Sequence, residues 1–145
     1  MNRHLARRLA LEALYAAEQG AAGGIDCSDL QERAAELGDA APAAVAERAC
    51  RLAEEVWQRR EAIDVVLEKA SDRWRVARMP VVDRNVLRIG VLELLEQKEP
   101  PAVVIDEAVR LAKEYSTARS GAFVNGILGR VLREAAPAAG NTEPR

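Results

Sequence analysis

The sequence predicts an all-α fold, with about seven helices arranged as two packed, three-helix-type subdomains. Apolar residues recur at the three- and four-residue spacing of a helix along most of the 145-residue chain. The apolar–polar alternation that marks a half-buried strand is nearly absent. The composition, 49% hydrophobic and 30% charged, is typical of a folded chain that buries a sizeable core.

The front half of the chain is predicted to hold four helices. The first presents a face of leucines and alanines and stops at Gly20, ahead of a glycine-containing loop. Gly38 ends a short second helix, and Pro42 can occupy the first turn of a long third helix. A fourth helical stretch follows a break near Ala62. The expected bounds are about 3–19, 29–37, 42–60 and 63–70.

The back half is predicted to hold three helices, with bounds of about 82–97, 102–115 and 120–135. The first of these is apolar over most of its surface, so we expect it to lie centrally. Ser120 is expected to be the N-cap of the last helix. A short basic connection, Trp74 to Met79, separates the two subdomains, which make one domain over 1–136 with parts of about 1–72 and 73–136. Residues 137–145 are expected to form a mobile tail.

Three glycines within the last helical stretch raise the question of a phosphate loop. Gly121, Gly126 and Gly129 are not followed by Lys-Ser/Thr, and no strand precedes them, so the sequence does not favour that motif. Close helix packing is the preferred interpretation. Gly126 and Gly129 are three residues apart and share one helix face, and Gly90 in the central helix is a candidate for the matching flat position.

Residues suited to catalysis or metal binding are sparse in the sequence. The single histidine, His4, has no partners for a nucleophilic triad, so no catalytic residue and no cofactor are expected. Cys27 and Cys50 lack zinc-site spacing, and two cysteines alone do not argue for a disulfide. No signal peptide or long apolar run is present, which predicts a cytoplasmic protein with no membrane partner.

Positive charge is concentrated locally although the formal net charge is −2. The N-terminal segment is basic, and Arg3 and Arg7 share a helix face, as do His4 and Arg8. Tyr15 lies two turns beyond Arg7. Arginines for phosphates and an aromatic ring for a base are what a single RNA strand requires. Solvated helix faces, with Tyr15 in the core, are the alternative interpretation.

Three stretches of the chain together resemble the NusB family. They are ARRLALEALYAAEQG near the start, VVDRNVLRIGVLELL in the middle, and VIDEAVRLAKEYSTARSGAFVNGILGRVL near the end. The resemblance implies an all-helical RNA-binding protein that is not an enzyme. It implies binding of single-stranded boxA RNA from ribosomal RNA operon leaders together with NusE, a small-subunit ribosomal protein. The pair would join the RNA polymerase antitermination complex and suppress premature termination.

The resemblance also implies roles for individual residues. Its arginine-rich N-terminus matches Arg3, His4 and Arg7. Asn125 is expected to make a buried hydrogen bond between helices. At the binding surface we expect phosphate contacts from Arg3, Arg7 and Arg84, base contacts from Tyr15, Tyr115 or Phe123, and a NusE contact from Asp83.

Two further functions remain open at this point. NusB-like domains also form the RNA-binding part of some rRNA cytosine methyltransferases, although this chain has no downstream α/β pattern or glycine-rich cofactor loop. A helical homo-oligomeric scaffold without an RNA role is the other possibility, since some members of the family are thought to form homodimers.

Overall fold

The chain folds into α-helices, which confirms the predicted class. A computed structural model describes residues 1–20, 23–72 and 74–140, with side chains as far as residue 134. Within these residues there are seven α-helices and no strand. A short 3-10 helix, Val76–Arg78, precedes α5. The α-helices are α1 Arg3–Gln19, α2 Leu30–Glu36, α3 Pro42–Gln58, α4 Arg60–Ala70, α5 Val81–Glu96, α6 Pro101–Tyr115 and α7 Ala118–Gly140.

The helices form two compact units. The N-terminal unit is Met1–Arg60, and the C-terminal unit begins at Glu61. The boundary therefore lies at the first residue of α4, whereas the sequence predicted it near residue 72, in the connection before α5. One reason is an ion pair: Asp64 of α4 accepts two hydrogen bonds from Arg88 of α5, each 2.8 Å long. Arg88 is buried, so this pair ties α4 into the C-terminal unit.

In the N-terminal unit, α1 and α2 pack against α3. The Asn2 side chain caps α1 by accepting a hydrogen bond from the N–H of Leu5 at 2.9 Å. Pro42 is the first residue of α3, as predicted. Gly38 follows α2 with a φ of +82°, a left-handed conformation that glycine adopts without steric cost. These local signals fix the ends of helices whose apolar faces then supply the core.

In the C-terminal unit, α5 packs against both α6 and α7, and α6 packs against α7. Residues 85–94 of α5 are all buried, which confirms that this helix lies centrally. A Cβ added at Gly90 would lie only 2.6 Å from a δ-methyl of Leu128 on α7. Gly90 therefore permits a close approach of α7 to α5.

The predicted packing role of Gly126 and Gly129 is wrong. Gly126 is exposed, and a Cβ added there would meet nothing within 4 Å. At Gly129 the nearest atom would be the Arg133 guanidinium, at an ordinary 3.5 Å. The bulky Leu128 and not these glycines faces Gly90, because the core-facing side of α7 is the one that carries the large apolar residues.

Both ends of α7 differ from the prediction. The helix begins at Ala118, and the Thr117 hydroxyl accepts a hydrogen bond from the N–H of Ser120 at 3.1 Å. Thr117 thus caps the helix, and the predicted N-cap, Ser120, lies inside it. At the other end the helix runs to Gly140 instead of stopping near residue 135. The backbone of 137–140 is helical, and the rest of the predicted mobile tail, 141–145, lies outside the described residues.

Among the described residues, no helix is both long and apolar enough to cross a membrane.

Candidate nucleic-acid interface

Candidate RNA-binding residues occur on α1 of the N-terminal unit. Arg3 is exposed in the first turn, and His4 beside it is half-buried. No acidic residue occurs in that turn. Tyr15, two turns beyond Arg7, leaves 41% of its surface exposed, so the alternative that Tyr15 is a core residue is wrong. Helix α1 therefore presents a cation near its start and an aromatic ring near its end.

Arg7 differs from its predicted position. It is only 3% exposed, whereas Arg3, one turn earlier, is exposed. The two residues share a face of α1, but Arg3 stands at the helix end and Arg7 is enclosed by the fold. A guanidinium without access to solvent cannot reach an RNA phosphate, so the phosphate contact expected of Arg7 is not available in this structure.

Arg84, in the first turn of α5, organises the connection that precedes it. Its Nη1 donates to the backbone carbonyls of Ala77 and Met79, at 3.4 and 3.2 Å. The side chain is half-buried against this turn. Arg84 thus stays partly exposed while it holds the 3-10 helix next to α5.

Asp83 is buried, at 5% exposure. Its Oδ2 accepts a hydrogen bond from the Ser120 hydroxyl at 3.3 Å, and its buried Oδ1 has no hydrogen-bond partner among the described residues. Burial raises the pKa of the Asp83 carboxyl, and the Ser120 hydrogen bond opposes that effect. Because the carboxyl group is enclosed, it does not present the surface expected of a NusE contact. Its contact instead joins α5 to the first turn of α7.

The turn between α6 and α7 is held by hydroxyl groups. The Ser116 and Ser120 hydroxyls are 2.9 Å apart and hydrogen-bonded. Tyr115, at the end of α6, is half-buried, and Ser116–Arg119 are exposed. Asp83 and Ser120 together thus bring the start of α5, with Arg84, close to the turn that leads to Phe123.

Phe123 contacts an aromatic residue that the sequence analysis did not propose for the site. The rings of Trp74 and Phe123 are 6.0 Å apart at an interplanar angle of 77°, an edge-to-face arrangement. Phe123 is half-buried, whereas Trp74 is 54% exposed. The available signal was the arginine on each side of Trp74 in the basic connection before α5.

An open cavity of about 470 Å³ adjoins these two rings. Ile127 and Gly126 contribute to its wall. At its rim Arg130 forms an ion pair with Asp72, 2.9 Å between Nη1 and Oδ2. The cavity combines aromatic faces with a charged rim, which suits a planar ring that carries polar edges.

Asn125 is exposed, so the prediction that it makes a buried hydrogen bond between helices is wrong. It lies on the solvent side of α7, next to Gly126, which is also exposed. The buried residues of this turn are Val124, Ile127 and Leu128, which follow helical spacing. That spacing alone could have placed Asn125 outside the core.

Comparison with known proteins decides the family. The model of the NusB family matches residues 4–133. A relative from Anaeromyxobacter dehalogenans, the transcription antitermination protein NusB, is 44% identical over 133 residues, covering 92% of both chains. The chain belongs to the NusB family. The NusB protein of Symbiobacterium thermophilum, 42% identical over 149 residues, covers 99% of this chain and 97% of its own.

Membership of the NusB family makes this chain a transcription antitermination factor and not an enzyme. Among solved structures, the fold matches that of NusB in a crystal structure of the antitermination factors NusB and NusE with double-stranded RNA. That match has a TM-score of 0.74 and 31% identity, and it covers 91% of this chain and 96% of the other.

Proposed function

We propose that this chain binds boxA RNA of ribosomal RNA operon leaders together with NusE and thereby suppresses premature termination by RNA polymerase. The observation that carries the proposal is the match to a NusB protein crystallised with NusE and double-stranded RNA. Family membership supplies the antitermination role, and the cytoplasm is where that role would be performed. Entry into the polymerase complex and formation of a homodimer stay predictions.

In this proposal the RNA is bound by exposed or half-buried basic side chains and rings of each unit. Arg3 and His4 bind phosphates from α1, and Tyr15 stacks on a base. In the C-terminal unit, Arg84 supplies charge and Phe123 supplies a ring, with Tyr115 at the end of α6. Basic side chains and partly exposed rings suit a strand whose backbone is anionic and whose bases have apolar faces.

The two buried residues have supporting roles in the proposal. Arg7 stabilises α1 from within the fold, and Asp83 positions the turn between α6 and α7. A NusE contact near this turn would then come from the exposed residues Ser116–Arg119 and not from the Asp83 carboxyl itself.

Fluorescence anisotropy with labelled RNA tests the proposal. The full chain is titrated into single-stranded boxA RNA, a scrambled strand of the same composition and a boxA duplex, each with and without NusE. We expect binding to the single boxA strand to exceed that to the scrambled strand, to tighten when NusE is added and to weaken as salt is raised. Equal binding to boxA and scrambled RNA with NusE present would refute the proposal.

A matched pair of charge variants locates the surface. Arg3→Ala removes a proposed phosphate contact, while Arg51→Ala removes an exposed arginine of α3 that pairs with Glu47 at 2.9 Å. Arg3→Ala should lower the slope of log K against log salt by about 1, and Arg51→Ala should leave it unchanged. An equal effect of the two variants would show that only overall charge matters and that α1 is not the contact surface.

A further inference from the structure

A disulfide joins an irregular segment of the N-terminal unit to α3. Cys27 lies in the segment 23–29 that leads into α2, and Cys50 lies near the middle of α3. Their Cα atoms are 5.7 Å apart, a separation that a disulfide spans without moving the backbone. The bond closes a loop, 23 residues in sequence separation, that contains the whole of α2.

Both cysteines are accessible. Each is half-buried, whereas Ala49 and Ala53 on the same helix are fully buried. Neither residue is enclosed by the fold, which leaves the pair open to a small thiol or disulfide in solution. Transcription in bacteria takes place in a compartment where thiols are kept reduced, and disulfides formed there are usually transient and responsive to oxidation. An accessible cysteine pair in an antitermination factor is therefore more typical of a transient, oxidation-responsive disulfide than of a permanent structural one.

The segment 23–29 and α2 are held in place by different contacts. Within the segment, the Asp26 carboxylate accepts a hydrogen bond from the N–H of Ser28 at 2.9 Å, which is a local contact. Helix α2 is anchored to α1 by the Arg33–Glu12 ion pair at 3.2 Å, and its Leu30 is buried. Loss of the disulfide should thus release the segment 23–29 and leave α2 docked.

We propose that Cys27 and Cys50 form a reversible dithiol–disulfide site whose oxidised state fastens segment 23–29 to α3. The oxidant is a low-molecular-weight disulfide of the glutathione class. One cysteine thiolate attacks it, forms a mixed disulfide and releases one small thiol. The second cysteine thiolate then attacks the cysteine sulfur of the mixed disulfide and releases the other small thiol, with the two cysteine protons going to the released thiolates. A dithiol reductant reverses both steps.

A metal site is the competing assignment for the same side chains. The exposed Glu54 lies one turn beyond Cys50, and one of its carboxylate oxygens and the two sulfur atoms lie within 4.8 Å of one another. Structural zinc sites, however, close with four protein ligands. Three donors, one of them an exposed carboxylate, fall short of such a site, so the geometry favours the sulfur–sulfur bond.

The test compares the unmodified full chain in two redox states. The protein is equilibrated with oxidised glutathione or with dithiothreitol, and free thiols are counted by maleimide labelling and mass spectrometry. We expect complete conversion between a monomer without free thiols and a monomer with both thiols free. On reduction, hydrogen exchange in 23–29 should accelerate about tenfold or more while α5 does not change. The midpoint of thermal unfolding should fall by about 5–10 °C.

The variant Cys50→Ser provides the control for the effect of the bond itself. After treatment with oxidised glutathione it should exchange in 23–29 as the reduced unmodified chain does. Three results would overturn the proposal: exchange in 23–29 that is the same in both redox states, oxidation that yields disulfide-linked dimers, or stoichiometric zinc retention by the reduced chain that blocks reoxidation.

Discussion

The contact between Gly90 and Leu128 gives the sharpest prediction about the fold. A Cβ at position 90 would lie 2.6 Å from one δ-methyl of Leu128 and 3.0 Å from the other, whereas carbon atoms in contact are normally about 3.5–4.0 Å apart. Leu128 is fully buried, so its side chain has no solvent to move into. Gly90→Ala should therefore incur an overpacking cost of about 1–3 kcal/mol.

Gly126→Ala is the matched control for this substitution. Both glycines lie inside helices, so each replacement gains about 1 kcal/mol of helix propensity. A Cβ at position 126 meets nothing within 4 Å, so only Gly90→Ala carries the steric cost. The difference in unfolding free energy between the two variants should thus equal the overpacking term itself, about 1–3 kcal/mol. Gly126→Ala should be more stable than the unmodified chain.

Urea unfolding followed by circular dichroism measures the difference. A double-mutant cycle then assigns it to the contact: in a Leu128→Ala background, the added methyl at position 90 has space, and the penalty of Gly90→Ala should disappear. If Gly90→Ala were as stable as Gly126→Ala, or if its penalty persisted without the Leu128 side chain, the explanation of the close approach between α5 and α7 would be wrong.

Three other predictions follow from the charged and aromatic residues. Asp64→Asn leaves the buried Arg88 without its carboxylate and should lower the unfolding free energy by roughly 3 kcal/mol. Asp72→Asn, at an exposed ion pair, should change the unfolding free energy by less than about 1 kcal/mol. Urea unfolding measures both variants, and equal losses of stability would contradict the prediction. The pKa of Asp83 in the folded chain is raised above 3.8, so the folded state binds this proton more tightly than the unfolded state does. The stabilisation from this group is therefore lost as pH rises from about 4 through the folded pKa. The unfolding free energy of the unmodified chain relative to Asp83→Asn should therefore fall between pH 4 and pH 7, and a pH-independent difference would contradict the raised pKa. Tyr15→Ala should weaken binding of boxA RNA in the anisotropy titration by about fivefold or more through loss of stacking, and unchanged affinity would remove Tyr15 from the surface.

Much of the fold could be predicted because helix formation depends on local spacing. The apolar period of residues 82–97 predicted both the helix α5 and its central place, and Pro42 predicted the start of α3. The end of α7 was predicted too early: the run after residue 135 lacks apolar periodicity and contains Pro137, yet its backbone continues as a helix to Gly140.

The candidate site was predictable in residue type but not in exposure. Arg3 and Arg7 share a face of α1 by spacing, yet only Arg3 is exposed, because the cover over a helix face comes from other segments of the chain. Asp83 is similar: its position in the first turn of α5 is evident in the sequence, but its burial and its hydrogen bond from Ser120, 37 residues along the chain, are not.

The sequence by itself determined the helices, their apolar faces and the family, since these follow from residue types at short separations and from three ordered motifs. Only the tertiary structure decided that Gly90 faces Leu128, that Trp74 meets Phe123, that Arg7 is enclosed and that Cys27 bonds to Cys50. Each of these depends on which side chains from distant segments come within a few ångströms, and the helical period fixes a residue's direction from its own axis but not what lies opposite it.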